Sequence, residues 1–308
     1  MKVRGYPIVA AVLGVIALVL PWFVYPVFAI DLICFALFAV SLDLLLGFVG
    51  LLSFGQALFW GGAGYATAYL VHQFGVDSVL AIVCGVLYAM VLAAFVGAIS
   101  VRRAGIYFAM ITLGVAQIQY FLAFQYTNIT GGENGLQIGG RGHFLGLPLE
   151  NDRAFYYVAL VVIVLAVVFA IRLTRSPFGR VLLAMRENEP RAIALGYRVD
   201  RYKFAVFTIA GGLAGLAGAF YALGNRLAGL DMVDWHTSGA VVMMTVLGGI
   251  GTILGPIVGA GVFQSLDYFV SKTPIGEETN MVMGAIFAVC ILLFRRGIVG
   301  SLLARLRP

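Results

Sequence analysis

Apolar residues run almost unbroken through 8–27, 28–50, 78–99, 105–125, 153–171, 203–224 and 279–294. A helix rises 1.5 Å per residue, so about 20 apolar residues cross the hydrocarbon core of a bilayer, and each run reads as one span. Two further stretches, 51–71 and 239–270, are long enough but punctuated by glycine. Their helices are expected to break at Gly55, Gly61 and Gly62 in the first, and at Gly251, Gly255 and Pro256 in the second. Broken backbone survives at membrane depth only where protein or water satisfies it. A β-barrel would instead show alternating strands of about 10 residues. The pattern predicts an all-α polytopic membrane protein: about eight full spans, a re-entrant or broken hairpin, and one short helix outside the bilayer.

One stretch does not fit the apolar pattern. "FGRVLLAMRENEPRAIALGYRVDRYK", residues 178–203, gathers nine charged side chains in a chain that is 62% hydrophobic and 11% charged, with mean hydropathy +1.00. Inserting the five arginines of 172–191 into lipid would cost on the order of 12 kcal/mol on insertion scales, so this segment stays outside the membrane. It is patterned nonetheless. Ser176-Pro177 reads as an N-cap followed by proline in the first turn. Val181, Leu182 and Met185 then recur at helical spacing. Asn188 can cap a second helix over 189–195, with Pro190 in its first turn and Gly196 as a left-handed stop. Two turns are marginal in water, so something must hold them. Either the segment lies among lipid headgroups with its arginines on phosphate, or it fits a groove on a cytoplasmic protein.

Charge placement sets the expected orientation. Sixteen of the 20 Lys and Arg fall in four places: Lys2 and Arg4; Arg102 and Arg103; Arg172 to Lys203; and Arg295 to Arg307. Placing all four in the cytoplasm satisfies the positive-inside rule. It also places both termini inside and the 126–152 loop outside. Parity then closes only if 239–270 enters and leaves on the same external side. The net charge of +6, clustered this way, fits lipid and not nucleic acid. The N-terminus reads as a retained span and not a signal peptide, because Pro21, Trp22 and Tyr25 stand where a small-residue cleavage site would be.

The chain lacks the residues of an enzyme or a motor. It has no G-x-x-x-x-G-K-[ST] loop for nucleotide phosphates. His72, His143 and His236 are isolated, and Cys34, Cys84 and Cys290 sit in separate apolar runs without metal-ligand spacing. Neither catalytic nor metal-binding residues are expected. An ion gradient could supply energy through a carboxylate within a span. Asp31, Asp43 and Asp267 are the candidates, with bonding inside the bundle as the plainer reading.

The segment 176–222, "SPFGRVLLAMRENEPRAIALGYRVDRYKFAVFTIAGGLAGLAGAFYA", resembles the coupling loop and following span of ABC importer permeases of the branched-chain amino acid type. "ENEPRAIALG" stands where those proteins carry their coupling motif, with Ala192 and Gly196 retained in spacing. "LLLGFVGLLSFGQALFWGGAGYATAYL" (44–70), "YFAMITLGVAQIQYF" with "TGGENGL" (107–136) and "VLGGIGTILGPIVGAGVF" (246–263) agree in the family's order. Asp43 and Gln56 depart from the pattern, where an uncharged amide and often a histidine stand.

The resemblance implies one permease domain over 1–308, with 172–202 as its cytoplasmic coupling loop. It implies a second permease subunit, two cytoplasmic ABC ATPases and an external solute-binding protein as partners. ATP and magnesium would be bound by the ATPases and no cofactor by this chain. Met185, Glu187, Asn188, Glu189, Ala192, Ile193, Leu195 and Gly196 would form the ATPase contact: the glutamates on basic groups, Met185, Ile193 and Leu195 as apolar surface. Ser53, Gln56, Thr112 and Gln117 are the candidate polar groups of a translocation pathway for branched-chain or other hydrophobic amino acids. The same class also carries urea, short amides and other small solutes, and an ion-driven transporter using Asp43 is the remaining rival.

Overall fold

The structure, a computed structural model, describes residues 6–103, 105–141, 143–144, 147–148, 150–272, 284–285, 288 and 297–305. Among the described residues, long helices up to Asn225 are α1 (Tyr6–Phe23), α2 (Pro26–Leu46), α3 (Gln56–Phe74), α4 (Ser78–Ser100), α5 (Ile106–Gln125), α7 (Asp152–Arg175) and α10 (Val199–Asn225). Between them lie the single turn α6 (Thr127–Thr130) and the pair α8 (Pro177–Glu187) and α9 (Glu189–Ala194). Then follow α11 (Trp235–Gly248), α12 (Leu254–Ser271) and, after the span expected at 279–294, which lies largely outside the described residues, α13 (Ile298–Arg305). By length and composition α2, α4, α5, α7 and α10 can each cross a membrane.

Helix α10 is the axis of the bundle, packed on α2, α3 and α4. Its small residues make this possible. Gly211 faces Ala93 and the Phe59 ring, Gly215 faces Ala89 and Ala63, and a Cβ on Gly218 would collide with the Trp60 carbonyl. Small residues let helix backbones approach where lipid supplies no hydrophobic drive. Beside this contact Trp60 stacks on Phe38 at 4.5 Å between ring centroids and meets Phe35 and Tyr221 at 5.0 Å each. The aromatic cluster fills the space between α2, α3 and α10.

The glycine-rich stretches differ from expectation in detail. Gly55 is the N-cap of α3, but Gly61 and Gly62 lie inside that continuous helix. They do not break it. An added Cβ on Gly61 would strike Met232 and Val233, and one on Gly62 the Gln119 amide, so these glycines serve close approach, not flexibility. The chain leaves helical geometry earlier, over 47–55. Similarly, Gly251 lies in the turn between α11 and α12, whereas Gly255 and Pro256 already belong to the first turn of α12, where proline costs no hydrogen bond. Helix α11 has 14 residues, about 21 Å of rise, too short to cross the bilayer alone. With α12 it forms the broken hairpin packed on α2.

At the far end from α8 and α9, the 126–152 loop is pinned by Arg141, which is buried. Its Nε and Nη2 donate to the carbonyls of Leu223 and Gly224 at 2.9 and 2.6 Å, closing the C-terminus of α10. Its Nη1 pairs with Asp152 at 2.5 Å. Burial pulls this guanidinium below its ordinary value, and Asp152 opposes the shift. A two-residue antiparallel ladder joins Leu136–Gln137 to Leu227–Ala228 beside it.

Candidate coupling surface and pathway polar groups

The charged segment folds as an elbow. Ser176 caps α8 by accepting from the Gly179 N–H at 3.4 Å. Asn188 caps α9 by accepting from the Arg191 N–H at 3.0 Å. Leu195 ends α9, and Gly196, at φ +87°, reverses the chain in a conformation side chains rarely adopt. Each N-cap of this kind contributes about 1 kcal/mol, and two of them in twenty residues fix an elbow too short to hold itself.

The elbow is anchored from inside. Met185 and Ala192 are buried against the bundle, and Phe178 stacks on Tyr202 of α10 at 5.4 Å. Met185 was expected on the apolar contact surface; it belongs to the anchor, because its helical face points with Leu182 toward the core. Glu189 was expected to seek basic groups on another protein. It pairs instead with the buried Lys203 at 2.7 Å, which neutralises that lysine and ties α9 to α10. What remains outward is Glu187, Asn188 and Gly196, with Ile193 and Leu195 at 57% and 71% exposure. Arg102, Arg198, Asp200 and Arg201 line a groove with Glu189, Ile193 and Tyr197. Two of the four basic clusters thus converge at one end of the bundle, around an apolar point.

Ser53, Gln56 and Thr112 are all fully buried around the start of α3. Ser53 Oγ accepts from the Gly55 N–H at 3.3 Å, and Thr112 Oγ1 accepts from the Phe54 N–H at 3.3 Å. Both hydroxyls therefore satisfy the non-helical 47–55 segment, Thr112 doing so from α5. The Gln56 amide has no hydrogen-bond partner at either atom. Gln117 is not part of this group; it is half-buried elsewhere on α5. Two polar residues escaped sequence reasoning. Ser238 of α11 accepts from the Ala57 N–H at 2.9 Å, a link across 181 residues that no local pattern signals. Gln119 lines a cleft of about 300 Å³ with Gly62, Tyr65, Tyr69, Tyr88 and Tyr126; its spacing from Thr112 along α5 was the available clue.

Asp43, the carboxylate a gradient-driven mechanism would need, is committed elsewhere. Its Oδ1 accepts from the Gly251 N–H at 2.6 Å and its Oδ2 from the Ile253 N–H at 3.1 Å. Asp31 likewise accepts from Asn225 at 2.7 Å. Among the described residues no group of acidic, cysteine or histidine side chains could hold a metal ion.

A helical membrane bundle with a broken hairpin, a buried interruption and a capped elbow at its charged end has the build of a transport channel subunit. Residues 27–292 match the family described as branched-chain amino acid transport system / permease component, and the chain belongs to that family. It is similar to the high-affinity branched-chain amino acid transport system permease protein LivM of Escherichia coli, 31% identical over 73% of this chain and 59% of the relative. It is also similar to the ribose import permease protein RbsC of Bacillus subtilis, 31% identical over 60% of this chain and 58% of that one. The probable LivM of Methanocaldococcus jannaschii is 26% identical over 72% of this chain and 74% of its own. No solved structure gives a significant match.

Proposed function

We propose that the chain is the transmembrane permease subunit of an ATP-driven importer of branched-chain or other hydrophobic amino acids. All of 1–308 acts as one permease domain in a bacterial or archaeal cytoplasmic membrane, with both termini and the α8–α9 elbow inside. Its partners are a second permease subunit, two ABC ATPases that bind ATP and magnesium, and an external solute-binding protein. The observation that carries this reading is the elbow: a capped two-helix unit, locked to α10 by Glu189–Lys203, that holds Ile193 and Leu195 out among charged groups. Exposed apolar side chains on a short rigid helix are what a helix-in-groove contact needs. ATP-driven closure of the ATPases would move the elbow as a body, and the bundle would switch access because its contacts differ between states.

The cargo is carried by the names of the two LivM relatives. The ribose permease at equal identity favours a second reading, the same machine with another small solute. Reconstitution tests both. The chain with its companion permease, ATPases and binding protein is placed in vesicles, and ATP-dependent uptake of leucine, urea and ribose is compared. Leucine uptake that requires ATP is expected. Uptake by this chain alone, driven by a pH gradient without ATP, would overturn the proposal.

A further inference from the structure

The turn between α11 and α12 is strained and held from two sides. Gly249, Gly251 and Ile253 all have positive φ, at 118°, 77° and 55°. Ile253 is β-branched and is the central residue of a γ-turn, with the Leu254 N–H donating to the Thr252 carbonyl at 2.7 Å. Such a turn is rare and strains Ile253, whereas the two glycines adopt positive φ freely. The Asp43 carboxylate compensates by accepting the N–H groups of Gly251 and Ile253, one on each oxygen. Asp43 is fully buried near the C-terminal end of α2.

The second hold comes from the elbow. Arg186, in the last turn of α8, donates through Nη1 to the carbonyl of Gly47, which caps α2. The same guanidinium packs against Gly251, where an added Cβ would stand 3.4 Å from Nη1 and 3.2 Å from the Gly47 carbonyl oxygen. Gly47 itself must be glycine, since a side chain there would press into the Gly251 N at 2.6 Å. Three elements distant in sequence thus meet at one point: the end of α2, the α11–α12 turn, and the one arginine of α8 that reaches inward.

We infer that Arg186 and Asp43 form the joint through which movement of the α8–α9 elbow reaches the α11–α12 hairpin. Arg186 is a positioning residue: it touches no solute, and it holds the α2 terminus and the turn in register with the elbow. When the elbow shifts, Arg186 either carries Gly47 with it or releases it. Either event loosens the acid-held turn, whose stored strain favours a second arrangement. A joint of this kind needs two discrete states and contacts that differ between them; the contacts at stake here are the two hydrogen bonds from the turn to Asp43 and the one from Arg186 to Gly47.

The inference rests on the reading of the elbow as the ATPase contact, and one experiment separates the two. In vesicles carrying the full assembly, solute taken up per ATP hydrolysed is measured, and so is the ATPase retained on purification. Arg186→Gln should keep ATPase retention and hydrolysis within twofold while uptake per ATP falls at least tenfold. Arg186→Lys, which keeps the charge and the reach that glutamine loses, should recover most of that loss. Asp43→Asn, which leaves one turn N–H facing a donor, should resemble Arg186→Gln; if it fails to accumulate, the arginine variants decide. Uptake per ATP within twofold of the parent in Arg186→Gln overturns the joint, whether or not ATPase is lost. Unchanged ATPase retention in Ile193→Asp overturns the docking reading instead, and leaves a separate mark.

Discussion

The Gln56 side chain is fully buried, yet neither amide atom has a hydrogen-bond partner. An unmet buried polar group costs about 1–3 kcal/mol, so Gln56 works against the stability of this arrangement. Residues that break a local rule in this way concentrate at functional sites. On the proposed pathway role, Gln56→Leu should raise the melting temperature of the purified assembly and lower uptake more than tenfold. Uptake that survives in the stabilised variant would assign Gln56 to packing alone. Arg141 makes the opposite case: every donor it offers to Leu223, Gly224 and Asp152 is used. Arg141→Ala should destabilise by about 2 kcal/mol or more, since hydrogen bonds to charged groups are worth roughly that each. Thermal unfolding in detergent measures it. Asp152 lies 11 residues from Arg141, but the two carbonyls that Arg141 caps are more than 80 residues away, so no local pattern announced this role.

At the scale of elements, the elbow was the most legible part of the chain. Ser176, Pro177, Asn188, Pro190 and Gly196 are local signals, and capping is local chemistry, so sequence sufficed to place α8, α9 and their ends. Which faces turn inward was not legible. Met185 and Glu189 look outward-going in composition, and only the positions of the core and of Lys203 claim them. The glycines show the same division. Gly61 and Gly62 share their sequence signature with helix breakers, but their meaning is set by Met232, Val233 and Gln119, which arrive from elsewhere. Two consequences can be measured. Asn188→Ala removes the α9 cap at a cost of about 1 kcal/mol, so amide exchange over 189–194 should speed up roughly fivefold with the rest of the bundle unchanged. Gly218→Val inserts a side chain into the Trp60 backbone contact, and overpacking of that kind costs about 1–3 kcal/mol. It should part α3 from α10 and lower the melting temperature, whereas the same change at Gly114, which has open space, should not.

Across the whole molecule, the proposed orientation rests on where charge is placed. Arg102, Arg198 and Arg201 meet at the α9 groove, while Arg141, Arg226 and Lys272 are spread over the far end, two of them held by Asp152 and the Glu150 carbonyl. A dense cluster of Lys and Arg resists transfer across a membrane, and the same residues scattered singly resist it less. The long apolar runs made the helical plan readable, and the basic clusters are the basis of the proposed orientation. The hairpin was expected but its register was not legible, because that register is fixed by partners on other helices: Asp43 of α2, which accepts from Gly251, and the Ala57 N–H of α3, which donates to Ser238. Orientation is directly testable. In a cysteine-free background, single cysteines at Glu133, Asn151 and Lys272 should react with a membrane-impermeant thiol reagent in intact cells. Cysteines at Arg180 and Ala194 should react only after lysis. The opposite pattern would put α9 on a face without ATP, where no nucleotide-driven partner could reach Ile193 and Leu195, and the importer reading would fall with it.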